Sequence, residues 1–299
     1  MKWPRLYIIL FLIFVNLTLA AQSKVHVFTR TVAENFKYNT GDIVKINAFQ
    51  ADIMITQWNF DSVSVIMRLK AKSTDYNAAR KDISNWAYAM KKEKAEIILK
   101  NYLKKDISQN AASKLTVEYT IRVPDNCLIH LSNFSGTTNI HGINGALKTN
   151  IKYGSILISG MKGIVESDLE VGDINCTKSN LVLTVSAKHT AIYLDKVRGS
   201  IAISAQYGSV RINENEPFKK LTMDVTRADV YLVKKSITEY GLDLYSMHGK
   251  INIDVPNYAK EMNMYHLEES ADYSKINYKV GITIPLITIT NKYGNIVLN

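Results

Sequence analysis

The sequence has few of the residues that crosslink a small extracellular fold or mark a catalytic centre. It contains only two cysteines, Cys127 and Cys176, in 299 residues, which is too few for a disulfide framework. Cys-x-x-Cys and His-x-x-x-His pairs are absent, and so are a phosphate-binding loop ending in Gly-Lys-Ser/Thr and a Gly-x-Ser-x-Gly nucleophile elbow. We therefore expect no metal site, no cofactor and no catalytic residue.

Long apolar runs are also absent, with one exception at the N-terminus. Residues 6–15 are an apolar segment that follows Lys2 and Arg5, and the small residues Ala20 and Ala21 come after it. This pattern predicts a secretory signal peptide over residues 1–21, which is too short for a stable membrane span. An uncleaved membrane anchor is the alternative. We expect the remaining chain, 22–299, to be soluble and exported to the periplasm, the outer cell surface or the medium.

The chain has no acidic excess. Its 37 lysines and arginines exceed its 27 aspartates and glutamates, and the formal net charge is +10. A basic protein can meet an anionic partner, but a basic surface that binds nothing is equally compatible with this composition. Because the signal peptide predicts export, we do not expect nucleic acid as the partner.

A short repeat with a constant period runs through most of the chain. One small residue, which we call the anchor, marks each repeat, and apolar side chains alternate with polar ones on both sides of it. The anchors are Gly136, Gly154, Gly172, Thr190 and Gly208 at intervals of 18, followed by Ala228, Gly249 and Gly294 at longer intervals. Alternation is typical of β-strands, and a fixed period of this length is typical of a solenoid.

These patterns predict an all-β fold, a single β-solenoid with about 18–21 residues per turn and two main strands per turn. Cys127 and Cys176 fall at inward positions on different turns, so we predict two buried free thiols. An uncapped last turn exposes the unpaired edge of the C-terminal strand. We expect the preceding loop to fold over this edge, or another chain to cover it, which makes the edge a site for self-association.

Two segments interrupt the alternation. Over residues 74–94, Tyr76, Ile83 and Trp86 share one helical face, which predicts an inserted amphipathic helix that covers an end or a side of the solenoid. We expect Ser73 or Thr74 to cap its start. Over residues 256–272 the pattern predicts an irregular loop or a degenerate turn.

One strand carries outward acidic residues that resemble an acidic metal site. Lys148 lies one repeat before Glu166, and Lys152 and Lys188 lie one repeat before and one repeat after Glu170. Stacked turns bring such residues close together. We therefore interpret these charges as a surface ladder of ion pairs, with a metal site as the alternative.

The segment "VEYTIRVPDNCLIHLSNFSGTTNIHGINGALKTNIKYGSILISG", residues 117–160, resembles the bacterial putative-adhesin family, also described as a domain of unknown function with adhesin-like β-solenoid repeats. Shared features are an extended strand, a Val-Pro turn and successive Gly-x-Ile-x-Ile repeats. The resemblance covers most of residues 40–299. It implies an adhesin-like β-solenoid and brings no catalytic residues. The segments 74–94 and 256–272 depart from the family's simplest pattern.

Two columns of outward side chains form the candidate binding face. One column consists of the residues just before the anchors, and the other of the residues three places after them. Rings and guanidinium groups in such columns can stack on sugar rings or meet an anionic polymer. The alternative is that stacked rings stabilise the sheet and bind nothing. The candidate residues are Tyr153, His189, Tyr193, Tyr207, Arg211, Arg227, Tyr231 and His248.

These observations favour an exported, non-enzymatic module of the cell envelope or cell surface that binds a glycan or a partner protein. A structural envelope protein that self-associates through the solenoid ends is the second hypothesis. A polysaccharide-active β-helix enzyme, with catalytic groups assembled from separate turns, is the third.

Overall fold

The repeats form strands that pair in parallel at a constant offset. The structure, a computed structural model, describes residues 24–104, 111–213, 218–234, 240–253, 267–278 and 284–299. In these residues the protein is all-β, one open sheet of 19 strands with one short α-helix. The predicted signal peptide, 1–21, lies outside the described residues. Among the residues described, no helix has the length and apolar content needed to cross a bilayer.

The elements follow one another along the chain as follows. They are β1 (His26–Lys37), β2 (Ile43–Ala48), β3 (Ala51–Gln57), β4 (Ser62–Ser73), α1 (Tyr76–Asp82) with a 3-10 turn (Ile83–Asn85), β5 (Trp86–Glu93), β6 (Glu96–Leu103), β7 (Lys114–Val123), β8 (Cys127–His141), β9 (Asn144–Ser159), β10 (Lys162–Thr177), β11 (Asn180–Asp195), β12 (Arg198–Asn213), β13 (Lys220–Val233), β14 (Gly241–Met247), β15 (Ile251–Ile253), β16 (Leu267–Glu269), β17 (Tyr273–Tyr278), β18 (Leu286–Lys292) and β19 (Ile296–Leu298).

Strands β8 to β13 stack in parallel, each on the next. Between β8 and β12 every pair joins residues 18 places apart, so Ile156, Ile174, Ile192 and Val210 form one column of buried side chains. This alignment, predicted from the repeat, is confirmed. The inward places on both sides of the anchors are buried along the stack, and the intervening side chains point to solvent.

Each turn bends at its anchor without interrupting the strand. β9 to β12 each run through the anchor as one strand of 16 residues, whereas the sequence predicts two strands per turn. At the anchor Gly172, φ is 143°, and an added Cβ would lie 1.7 Å from the carbonyl oxygen of Gly154 on the neighbouring strand. Only glycine permits both this φ and this approach.

The C-terminal strands lie inside the sheet and not at its end. β18 pairs with β13 on one side and β14 on the other, and β19 pairs with β13 and β15. Gly294 therefore lies between Ala228 and Gly249 in space, although Ala228 and Gly249 are consecutive anchors along the chain. The prediction of an unpaired C-terminal edge strand is wrong, because β18 and β19 pair on both sides and their inward side chains are fully buried. Those side chains are Ile287, Ile289, Ile296 and Leu298.

The inserted helix is shorter than predicted. Only Tyr76–Asp82 is α-helical, and Asp75 caps it by accepting hydrogen bonds from two backbone N–H groups of the first turn, in place of Ser73 or Thr74. Trp86–Glu93 forms β5, antiparallel to β6. Trp86 is buried, and its indole N–H donates to the Lys70 carbonyl at 3.2 Å, so strand pairing and burial override the helical periodicity.

Helix α1 packs against β1 and β4 at the N-terminal end of the sheet, where the Tyr76 ring meets His26 and Phe28 edge-on. At the other end, most of the segment predicted to be irregular, 256–272, lies outside the described residues. Its last part differs from the prediction, because Leu267–Glu269 forms β16, antiparallel to β17.

Cys127 and Cys176 are both buried and free, as predicted. Burial raises the pKa of the Cys127 thiol to about 12 and that of the Cys176 thiol to about 11. Because the thiolate is the reactive form, these raised pKa values indicate that both cysteines are unreactive core residues.

Candidate binding surface

The bend at each anchor turns the preceding side chain outward. Five residues before anchors have a left-handed backbone, with φ between 44° and 61°, namely His189, Tyr207, Arg227, Tyr293 and His248. This conformation costs a residue with a side chain about 1 kcal/mol or more. Five bulky residues adopt it at the same corner of successive turns, so the stacked strands maintain this conformation against its intrinsic cost.

The five side chains form a continuous stack, which we call the corner stack. His189 lies parallel to Tyr207, with ring centroids 4.8 Å apart and planes 7° apart. The Arg227 guanidinium lies between the rings of Tyr207 and Tyr293, 5.5 and 5.7 Å from their centroids, and donates to the Tyr207 hydroxyl at 2.7 Å. Tyr293 stacks on His248 at 5.0 Å.

The ring faces of the corner stack cover one another. Tyr207 and Tyr293 are 39% and 53% exposed, but His189, Arg227 and His248 occupy positions over their faces. The outward groups are therefore ring edges, hydroxyls and guanidinium N–H groups. Neither tyrosine of the corner stack has an open face for a sugar ring, so this column matches the alternative in which stacked rings stabilise the sheet.

Sequence reasoning missed Tyr293 as a member of this stack. The reason is spatial order: β18 and β19 insert between β13 and β14–β15, which places Tyr293 between Arg227 and His248. The signal was present in the phrase "KYGNI" at residues 292–296, which matches "KYGSI" at residues 152–156.

Tyr153 does not join the corner stack. Val171 occupies the equivalent place on the neighbouring strand, and Tyr153 instead meets Phe134 edge-on at 5.4 Å. Phe134 in turn stacks on Phe49 at 5.1 Å. The Lys152 ammonium lies 5.8 and 5.5 Å from the rings of Phe134 and Tyr153. These residues form a second aromatic cluster towards the N-terminal end of the sheet.

Tyr193, Arg211 and Tyr231 form the second predicted column, which we call the sheet row. They are direct neighbours on β11, β12 and β13. The Tyr193 hydroxyl accepts a hydrogen bond from the Asn213 amide at 2.7 Å, which fixes the ring. Within the described part of the chain, none of the three belongs to an aromatic pair, a cation–π contact or an ion pair. Arg211 is exposed, and the rings of Tyr193 and Tyr231 on either side of it are half-buried.

The two columns are separate surfaces. No hydrogen bond, ion pair or ring contact between described residues joins the sheet row to the corner stack. The sequence places the eight candidate residues on one face, whereas the structure divides them among the corner stack, the sheet row and the cluster around Tyr153. Of these, only the sheet row has tyrosine rings that take part in no ring contact or cation–π contact between described residues.

The outward carboxylates of β10 fit the ion-pair interpretation in part. The Lys148 ammonium lies 3.0 Å from the Glu166 carboxylate, as predicted, but both side chains are more than half exposed, so the pair adds little stability. Glu170 makes no ion pair with Lys152 or Lys188 within the described ranges. Nor do three or more His, Cys, Asp or Glu side chains come together there in a metal-binding group.

A cavity lies far from the sheet row along the stack. Its volume is about 470 Å³, and Phe49, Asp52 and Gly136 contribute to its lining. Leu103 and Ala111 also line it, on either side of residues 105–110, which are outside the described residues. It contains none of the eight candidate residues.

No family model matches the chain, and no curated protein matches its sequence. It is similar to the solved structure of a putative cell adhesion protein from Clostridium sporogenes, with 13% identity, a TM-score of 0.24, and coverage of 91% of this chain and 99% of that one. It is also similar to putative adhesins from Bacteroides fragilis (11% identity, TM-score 0.48, 90% and 97% coverage) and Parabacteroides merdae (9%, 0.40, 93% and 97%). These neighbours carry the family description that the repeats resemble.

Proposed function

We propose that this protein is an exported, non-enzymatic β-solenoid of the bacterial cell envelope or cell surface, and that it binds a glycan through the sheet row. The apolar segment at residues 6–15 supports export. The constant offset of one repeat between parallel strands, with one set of side chains buried and the other outward, supports the solenoid.

The observation that carries the proposal is the sheet row, in which an exposed guanidinium lies between two half-buried tyrosine rings. Tyr193, Arg211 and Tyr231 stand side by side on adjacent strands, about 4.8 Å apart along the stack. The apolar face of a sugar ring packs on a tyrosine ring, and the five N–H donors of a guanidinium bind hydroxyl or carboxylate oxygens. A row fixed on a parallel ladder loses little conformational entropy on binding.

A double variant tests this function. Arg211→Ala with Tyr231→Ala is expected to weaken binding at least about fivefold, because it removes one guanidinium and one ring worth roughly 0.5–2 kcal/mol each. The measurement is surface plasmon resonance of the mature protein over immobilised lipopolysaccharide, peptidoglycan fragments and a glycan array. Thermal unfolding of each variant establishes that it is folded.

The corner stack offers a matched control. Tyr207→Ala with Arg227→Ala removes the same two residue types one column away, and we expect less than a twofold change in affinity. If only the corner variant loses binding, the corner stack binds the glycan and the sheet row does not, which contradicts our proposal. A wild-type protein that binds no glycan and instead binds an envelope protein contradicts the proposed ligand.

A further inference from the structure

A shallow groove lies on the sheet next to Tyr193. Its volume is about 350 Å³, and three adjacent strands, β9, β10 and β11, each contribute two outward side chains to it. These outward side chains are Ser155 and Leu157 on β9, Asp173 and Asn175 on β10, and Ala191 and Tyr193 on β11; Ile156 and Ile174, whose side chains are buried, also border the groove.

The groove exists because large and small side chains alternate around it. Leu157 and Tyr193 lie two strands apart in the same row, which places their backbones about 9.6 Å apart, and Asn175 lies between them. Leu157 is 39% exposed and projects from the sheet, whereas Ala191 beside Tyr193 leaves space above it. The walls are therefore one aliphatic side chain and one aromatic ring.

The polar groups of the groove are not used inside the protein. In the described part of the chain, the side chains of Ser155, Asp173 and Asn175 make no hydrogen bond or ion pair, while Tyr193 is fixed by Asn213. The groove thus combines a fixed ring, an aliphatic wall and three convergent polar groups. A few polar groups placed in a partly apolar concavity are typical of small-molecule sites.

We propose that this groove binds one uncharged pyranose unit of a glycan. This inference rests on the proposed function and names the class of sugar that the surface selects. The apolar face of the ring packs on Tyr193, and the hydroxyls pair with the Asn175 amide, the Ser155 hydroxyl and the Asp173 carboxylate.

The charge of the groove sets its selectivity. Asp173 is the only charged residue that lines it, so an anionic group of a uronic acid, a sialic acid or a sulfated sugar placed over Asp173 would meet a like charge, while the cation in this row, Arg211, lies on the far side of Tyr193. A neutral hexose or an N-acetylhexosamine meets no such repulsion, and its hydroxyls form charge-assisted hydrogen bonds with the carboxylate.

Two variants with different physical effects test the groove. Ala191→Leu fills the space beside Tyr193 without removing any polar group, and Asn175→Ala removes the central amide without adding volume. The probes are maltohexaose, cellohexaose, mannohexaose and chitohexaose, titrated calorimetrically into the mature protein. We expect at least one hexasaccharide to bind and each variant to weaken its binding tenfold or more. Ala202→Leu, an exposed alanine on another row of β12, is the control and should leave affinity unchanged.

The outcomes separate this inference from the proposed function. If none of the four neutral hexasaccharides binds the wild type, or if one binds and both groove variants retain its full affinity, the neutral-sugar subsite is refuted. The sheet row is then judged by its own variant, because Arg211 and Tyr231 do not line the groove. If heparin or alginate binds, and if Arg211→Ala weakens this binding whereas Ala191→Leu does not, glycan binding by the sheet row is supported. The same result contradicts a neutral-sugar site in the groove.

Discussion

Ile203→Asp is expected to lower the free energy of unfolding by about 4 kcal/mol or more, a large fraction of the roughly 5–15 kcal/mol by which a folded protein is stable. Ile203 is 3% exposed and stacks between Val185 and Met223 on the adjacent strands. A carboxylate at this place enters an apolar column without a cation or a donor to pair with it. Burial of an unpaired charge is among the most destabilising substitutions that a core can receive.

Urea unfolding followed by circular dichroism measures this loss. Ala202→Asp is the matched control, because Ala202 is exposed one residue away and its neighbours Thr184 and Thr222 are neutral. It should change stability by about 0.5 kcal/mol at most. Ser204→Asp is a poorer control, since Ser204 lies opposite Asp224 and would add a like-charge pair. Equal losses at residues 202 and 203 would contradict the assigned inward and outward faces.

Removal of residues 286–299 is expected to unfold the C-terminal part of the protein. Without β18 and β19, β13 loses its partners on one side, and β14 and β15 lose the strands that connect them to the sheet. The deletion also removes Ile287, Ile289 and Ile296 from the core, which uncovers the buried side chains of Leu221, Met223 and Val230 beside them. Limited proteolysis with mass spectrometry should show new cleavage beginning after β13, together with a lower soluble yield.

A pair of point variants separates this effect from simple loss of length. Ile296→Asp should destabilise the protein by about 4 kcal/mol, because Ile296 is fully buried between Val230 and Ile251. Val297→Asp, one residue later and facing outward, should cost far less. If the strand lay at the free end of the sheet, the deletion would leave the protease pattern of residues 24–233 and 240–253 unchanged.

The sequence predicts the stack from β8 to β13 well, because parallel strands pair residue by residue and a constant offset leaves a visible period. Ile156 and Ile174 could be aligned by counting alone. The strand that pairs with β13 on its C-terminal side could not be identified by counting along the repeat. Leu221 pairs with Ile287, several repeats further along the chain, and the same Ile-x-Ile alternation occurs at Ile251 and at Ile296, so the pattern does not state which strand comes next.

The same limit applies to the candidate site. The residue types before each anchor are readable from the repeat, and four of the five residues of the corner stack were identified in that way. Tyr293 could not be assigned to the corner stack from the repeat, because its place depends on the spatial order of the strands. The groove could not be predicted, because its six outward side chains come from three strands. Its depth also depends on the small size of Ala191 beside Tyr193. The helix prediction failed beyond Asp82, where pairing of β5 with β6 outweighs a short periodic signal.

The insertion of the C-terminal strands completes the corner stack, and crosslinking tests their order most directly. Thr290 pairs with Asp224 on one side and with Tyr245 on the other, so Asp224 and Tyr245 lie two strands apart, about 9.6 Å. A disulfide requires Cα atoms about 4.4–6.8 Å apart. The measurement is mass spectrometry of two double variants after mild oxidation, with Cys127 and Cys176 left in place because both are buried.

Asp224→Cys with Thr290→Cys is predicted to form an intramolecular disulfide in nearly every chain, and Asp224→Cys with Tyr245→Cys is predicted to form almost none. A bridge between residues 224 and 245, with none between 224 and 290, would show strands stacked in chain order and would contradict the account.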